Sequence, residues 1–158
     1  MKLIEGKLGV RVGKKVAIVS TRWNHFIVDR LVEGAKDAFA RHGGNDDDLT
    51  HVLAPGAFEL PMVIDQLLNS GKYDAVCALG AVIRGSTPHF DYVCKGVTDG
   101  IVLLNNTMEV PTIFGILTVD NEEQASDRIG GKHGHKGEEA AITAIKMIDF
   151  SRSLHKVL

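Results

Sequence analysis

The nine residues from Ala75 to Ile83, AVCALGAVI, carry no charge and no polar side chain other than a thiol. A short run that is apolar at both alternating sets of positions reads as a parallel strand buried on both sides, and such a strand requires helices on both faces of its sheet. The run breaks at Arg84-Gly85-Ser86, and Thr87-Pro88 then reads as a helix start. Threonine suits the N-cap, and proline suits the first turn, where its missing N–H costs nothing. A strand that ends in a small-residue loop at a helix N-terminus presents unpaired backbone N–H groups to an anion, usually phosphate. His89 falls in the first turn of the same helix. An anion cradle beside a proton-transfer group points to chemistry on a phosphorylated small molecule.

The rest of the chain alternates strand and helix in the same way. Residues 15–20 (KVAIVS) form a strand, and Asn24 caps a helix through His42, with Val28, Val32, Ala35 and Phe39 at helical spacing and Gly43-Gly44 as its stop. Leu49–Ala54 is a second strand, after which Pro55-Gly56 turns the chain into a helix with Leu60, Val63, Ile64, Leu67 and Leu68 inward. The helix opened by Thr87 buries Phe90, Val93, Cys94, Val97, Ile101 and Leu104, and Thr112–Val119 is a fourth strand. Asp120 with Glu123 reads as a capping box for a helix ending at Gly130-Gly131, and a last helix starts near Gly137. Four strand-then-helix units predict an α/β, three-layer, doubly wound fold with a four-stranded parallel sheet flanked by helices. No linker or repeat divides the 158 residues, so one domain over 1–158 is expected. The N-terminal LIEGKL segment has no partner in this layout and is free to add an edge strand to this sheet or a neighbouring subunit's.

In a doubly wound sheet ligands bind at the carboxyl ends of the strands. That rule gathers Trp23, the segment Ala57-Phe58-Glu59, the strand end Ala81-Val82-Ile83, the loop Gly85-Ser86-Thr87 and His89. Each has two readings at this point. Trp23 is a core residue or a stacking platform for a planar ring, and Phe114 sits in an apolar strand as core would. Glu59 is a first-turn acid or an acceptor for ligand hydroxyls, and Arg128 complements a helix dipole or binds an anion. Lys132-His133-Gly134-His135-Lys136 has two histidines two apart, but no carboxylate or cysteine at ligand spacing completes a site, so no metal is expected and the segment reads as an interhelical loop. A net charge of -2 gives no basic footprint for nucleic acid. No apolar run reaches membrane-span length and MKLIEGKL lacks a signal-peptide core, so a cytoplasmic protein is expected, with Cys77 and Cys94 as reduced packing residues.

Together and in this order, EGKL, the R-x-N-H segment at Arg22 to His25, VDRLVEGA, RHGG, PGAFELP, ALGAVIRGSTPHFDYV, FGILT and the basic, glycine-rich pattern from Arg128 resemble the lumazine synthase family over essentially the whole chain. The resemblance implies a flavodoxin-like fold and a cofactor-free condensation of 5-amino-6-(D-ribitylamino)uracil with 3,4-dihydroxy-2-butanone 4-phosphate to 6,7-dimethyl-8-ribityllumazine, phosphate and water, a step of riboflavin biosynthesis. A flavin- or lumazine-binding shell protein with little turnover is the alternative. By position, Trp23 corresponds to the ring that stacks on the pyrimidine. Ala57, Phe58, Glu59, Ala81, Val82 and Ile83 correspond to the pyrimidine and ribityl contacts. Gly85, Ser86, Thr87 and Arg128 correspond to the phosphate site, and His89 to the proton-transfer residue. Phe114, Arg128 and Lys136 correspond to residues supplied across a subunit interface. The resemblance further implies a homo-oligomer, a pentamer at least. The short stretch from Arg128 to Gly137 favours a hollow icosahedral shell of sixty subunits, with riboflavin synthase as a candidate partner. Two positions depart from the family pattern: Trp23, where phenylalanine is usual, and His135, where asparagine is common.

Overall fold

The computed structural model describes residues 1–11 and 13–158. Strands β1 (Val16–Thr21), β2 (Leu49–Ala54), β3 (Ala75–Ile83) and β4 (Thr112–Val119) form one sheet in the order β2-β1-β3-β4, every adjacent pair parallel. The helices are α1 (His25–Arg41), α2 (Leu60–Asn69), α3 (His89–Thr107), α4 (Glu122–Ser126) and α5 (Lys136–His155). Between α4 and α5 lies a small antiparallel pair, β5 (Ile129–Gly131) and β6 (Gly134–His135).

Alternation along the central strands builds the three layers. Val16 and Ile18 of β1 and Cys77 and Leu79 of β3 face one core with Leu31 and Phe39 of α1 and Ile145 of α5. Their neighbours Ala17, Val19, Val76 and Ala78 face a second core with Leu60 and Ile64 of α2 and Val97 and Ile101 of α3. Each fully buried aliphatic side chain contributes about 1.5–3 kcal/mol, so the sheet is held from both sides as the apolar run predicts. Burial also pushes the Cys77 thiol up to about 12, which leaves it a packing residue and no nucleophile.

Where local chemistry was read from spacing alone, the structure shifts it. Residues 57–59 form a separate 3-10 turn before α2. On α3 only Val97, Ile101 and Leu104 are buried, while Phe90, Val93 and Cys94 are half-buried, because the helix N-terminus overhangs the sheet end. The α4 cap is Asn121, whose side chain accepts the Gln124 N–H at 2.9 Å, while the Gln124 amide oxygen reaches back to the Asp120 N–H at 2.8 Å. The expected box of Asp120 with Glu123 is thus displaced by one residue, and α4 ends at Ser126 rather than at the glycines. Residues 132–136, expected as a plain loop, lie at the turn and second strand of the β5–β6 hairpin and the start of α5.

Residues 1–11 join no strand of the sheet. They cross α5 instead, where the buried carboxylate of Asp149 accepts the Lys7 N–H at 2.9 Å and two Arg11 guanidinium donors at 2.6 and 3.0 Å. These donors, the Lys7 amide first, hold the Asp149 carboxyl below its ordinary range.

Candidate active site

In the order β2-β1-β3-β4 successive strands are added first to one side of β1 and then to the other, so the winding switches between β1 and β3, and a cleft opens there at the carboxyl ends of the parallel strands. A cavity of about 580 Å³ occupies it. Its walls come from the loop after β1 (Trp23, Asn24), the turn after β2 (Gly56, Ala57, Phe58, Glu59), the end of β3 (Ala81, Val82, Ile83) and one face of α3 (His89, Tyr92, Val93). Eight of the residues expected at the site therefore meet around one space.

Trp23 is 74% exposed, which rules out the core reading and leaves the indole as a bare platform at the rim. Phe58 is exposed on one side, and its other side lies on α3 at Gly96, where a Cβ would stand 2.6 Å from the ring. That close approach seats the 57–59 turn against the helix carrying His89. The β3 wall offers polar backbone. Val76 and Arg84 donate toward the β4 side, to Pro111 O and Val119 O, so by the two-residue period the odd residues of β3 face β1. The β1 ladder ends at the pair Ser20–Leu79, so Ile83, beyond it, presents its N–H and C=O to the cavity.

The loop Gly85-Ser86-Thr87 is exposed and connects this wall to α3. The expected cap is displaced: α3 starts at His89 with Pro88, not Thr87, at its N-cap and no side-chain capping bond. Thr87 Oγ1 lies 3.4 Å from the His89 N–H, because the loop brings the proline rather than the threonine to the helix boundary. Arg84, which neighbours the loop in sequence and was not singled out there, is committed elsewhere. Its guanidinium lies over the Phe90 ring at 4.1 Å and pairs with Asp120 at 3.0 Å and Asp91 at 3.2 Å. The Asp120 hydrogen bond leads in raising its pKa further. It ties the loop to the end of β4 and to α3. Tyr92 was also missed; its signal is the helical spacing of three from His89, which puts both on one face.

Phe114, Arg128 and Lys136 are not at this cavity. They lie along the free edge of β4. Phe114 and Lys136 border a hollow of about 500 Å³ between β4 and α5, and Arg128 and Lys136 border one of about 340 Å³ with Asp127 and His133. Phe114 is 38% exposed, more than a core phenylalanine would be. Lys136 pairs with Glu139 at 3.0 Å, whereas the exposed Arg128 guanidinium has no ion-pair partner among the described residues. Among the described residues no group of three or more His, Cys, Asp or Glu is placed to hold a metal ion, and no helix is long and apolar enough to cross a membrane.

The family model described as 6,7-dimethyl-8-ribityllumazine synthase matches residues 13–152. The chain belongs to that family. A 6,7-dimethyl-8-ribityllumazine synthase of Sulfurimonas denitrificans is 68% identical over 154 residues, covering 98% of this chain and 100% of the relative. Those of a Sulfurovum species and of Campylobacter concisus are 57% and 54% identical, over 99% and 98% of this chain and 100% and 99% of theirs.

The departure at His135 has a local explanation. The residue is the N-cap of α5, and its Nδ1 accepts the Glu138 N–H at 3.4 Å, the task an asparagine side chain performs at the same position. Its ring is larger than an asparagine and rests on α1 at Gly34, where a Cβ would stand 2.1 Å from the imidazole.

Proposed function

We infer that this chain condenses 5-amino-6-(D-ribitylamino)uracil with 3,4-dihydroxy-2-butanone 4-phosphate to give 6,7-dimethyl-8-ribityllumazine, phosphate and water, as a transferase of riboflavin biosynthesis. The observation that carries the reading is the strand-end cavity, bounded by an exposed indole, a free backbone edge and a histidine, in a chain of this family. The pyrimidine lies on Trp23 with its polar edge toward Ala81-Val82-Ile83, and the ribityl hydroxyls reach the Ala57-Phe58-Glu59 turn. The 5-amino group attacks the ketone carbonyl, and loss of water gives an imine. A proton leaves the adjacent carbon as the C–O bond to phosphate breaks. The resulting enol becomes a ketone, and the ribitylamino nitrogen closes the ring with loss of a second water. His89 moves protons in these steps, and the Gly85-Ser86-Thr87 loop with Arg128 holds the departing dianion by charge-assisted hydrogen bonds. Holding the two reactants together supplies much of the remaining rate. With both substrates present, the appearance of lumazine fluorescence tests the reading. Binding of lumazine without turnover would replace it with the shell-protein alternative.

A dianion needs a cation, and among the described residues the cavity is lined by neither lysine nor arginine. The unpaired Arg128 stands on the β4 edge instead, with Phe114 and Lys136. This separation supports reading the site as completed by a neighbouring subunit; the cyclic pentamer, and the closure of pentamers into an icosahedral shell of sixty, are what the family resemblance adds to the proposal. Residues 3–8, free of proline and tethered at Lys7 by Asp149, suit addition to the open edge of β2 in a neighbour. The reading takes residues 1–158 as one domain of a cytoplasmic enzyme, with riboflavin synthase as the partner a hollow shell would enclose. Light scattering at neutral pH is expected to give shell mass, and deletion of residues 1–8 to shift it toward pentamers. Pentamer mass alone in the intact protein overturns the shell, and monomer mass overturns the shared site.

A further inference from the structure

Asn24 stands at the start of α1 and reads as its cap, yet its side chain makes no capping hydrogen bond. It holds φ 58° and ψ 40°, the only positive-φ conformation among the described residues other than glycine. Asparagine tolerates this left-handed geometry better than most residues, and a residue kept there by its surroundings marks a site where direction of the chain matters. The backbone carbonyl of Asn24 accepts the Ile27 and Val28 N–H groups at 3.0 Å each, so these two first-turn donors are satisfied without the carboxamide. The carboxamide goes across the cleft: Nδ2 donates to the Ala81 carbonyl at 2.8 Å. Ala81 is the first odd residue of β3 beyond the last β1 pair, Ser20–Leu79, so the side chain supplies one further rung where strand β1 has turned away.

We propose that Asn24 is a positioning residue. By tying the loop after β1 to the end of β3, it sets the gap between the Trp23 ring and the Ala81–Ile83 backbone, and that gap is the slot for the planar pyrimidine. The proposal rests on the reading of this cavity as the pyrimidine site. Its chemistry is separable from the phosphate half of the reaction, because the Gly85-Ser86-Thr87 loop is tied independently, through Arg84 to Asp120 and Asp91.

Two substitutions isolate the bond. Asn24→Gly keeps the left-handed backbone at no steric cost and deletes the carboxamide, and Asn24→Asp keeps the size but sets a carboxylate against the carbonyl. One neutral hydrogen bond corresponds to roughly a two- to twelvefold change, so Asn24→Gly is expected to raise the pyrimidine KM about fivefold. The KM for the butanone phosphate, the thermal midpoint and the assembly mass should stay at wild-type values, and Asn24→Asp should raise the pyrimidine KM further. A second measurement needs no turnover: riboflavin, a planar probe, should quench Trp23 fluorescence in the wild type and require a several-fold higher concentration to do so in Asn24→Gly. If the wild type makes no lumazine, the catalytic reading fails while the quenching titration still decides on the slot. An unchanged pyrimidine KM and quenching constant in Asn24→Gly overturns the proposal. So does an equal rise in both KM values, or a fall in thermal midpoint that accounts for the loss, since either makes Asn24 a merely structural residue.

Discussion

Arg128→Ala is expected to raise the KM for 3,4-dihydroxy-2-butanone 4-phosphate by one to two orders of magnitude while leaving the KM for the pyrimidine near its wild-type value. The guanidinium is exposed and has no ion-pair partner among the described residues, so removing it breaks no internal contact seen in the structure and should cost little stability. On the proposed reading it removes a charged donor for a dianion, worth about 1.5–3 kcal/mol, which corresponds to roughly a ten- to hundredfold change. Because the charge is solvent-accessible in one subunit, added salt should narrow the difference between variant and wild type. Steady-state kinetics with each substrate varied in turn decide the matter. Wild-type values for both, or an equal defect in both, would remove Arg128 from the phosphate site.

His89→Ala should act on turnover instead. The imidazole lines the cavity and is exposed, its ring makes no hydrogen bond among the described residues, and Thr87 Oγ1 meets its backbone N–H rather than its ring. The ring is therefore available to the reacting atoms. A positioned proton-transfer group contributes about 10²–10⁴-fold, and the low end is expected here because water or phosphate can carry protons in its place while the two substrates remain juxtaposed. The pyrimidine KM should change little while kcat falls. A variant that turns over normally at every pH excludes His89 from the mechanism.

β3 was legible because burial on both faces leaves an unmistakable apolar run; β2, β3 and β4 all have the expected boundaries, although β2 is a partly exposed edge strand. The cavity was legible for a related reason: once the strand-helix alternation is known, topology alone assigns Trp23, Ala57 to Glu59, Ala81 to Ile83 and His89 to one end of the sheet. Helix ends were less so. Asp120 and Asn121 are both good caps, and only the path of the chain leaving β4 selects the second. The β5–β6 pair, five residues with three glycines, is too short to have a period. Asn24 illustrates a deeper limit. Its type and place signal a cap, and the bond it makes reaches 57 residues along the chain, which no local pattern reports. The exposure of Trp23 and the separation of Phe114, Arg128 and Lys136 from the cavity likewise depend on which strand forms the sheet edge, a property of the assembled sheet.

The imidazole of His135 resting on Gly34 makes the mutational history of these two positions order-dependent. With histidine at 135, a Cβ at 34 would stand 2.1 Å from the ring, so Gly34→Ala arriving first must displace the imidazole from its cap or push α1 and the start of α5 apart. If His135→Asn comes first, the cap is retained by a smaller side chain and the same alanine finds room. Each step is tolerable along one path and harmful along the other. Drift in the interhelical hairpin is thereby coupled to a helix whose own start carries the cavity wall, although the two are more than a hundred positions apart in the chain.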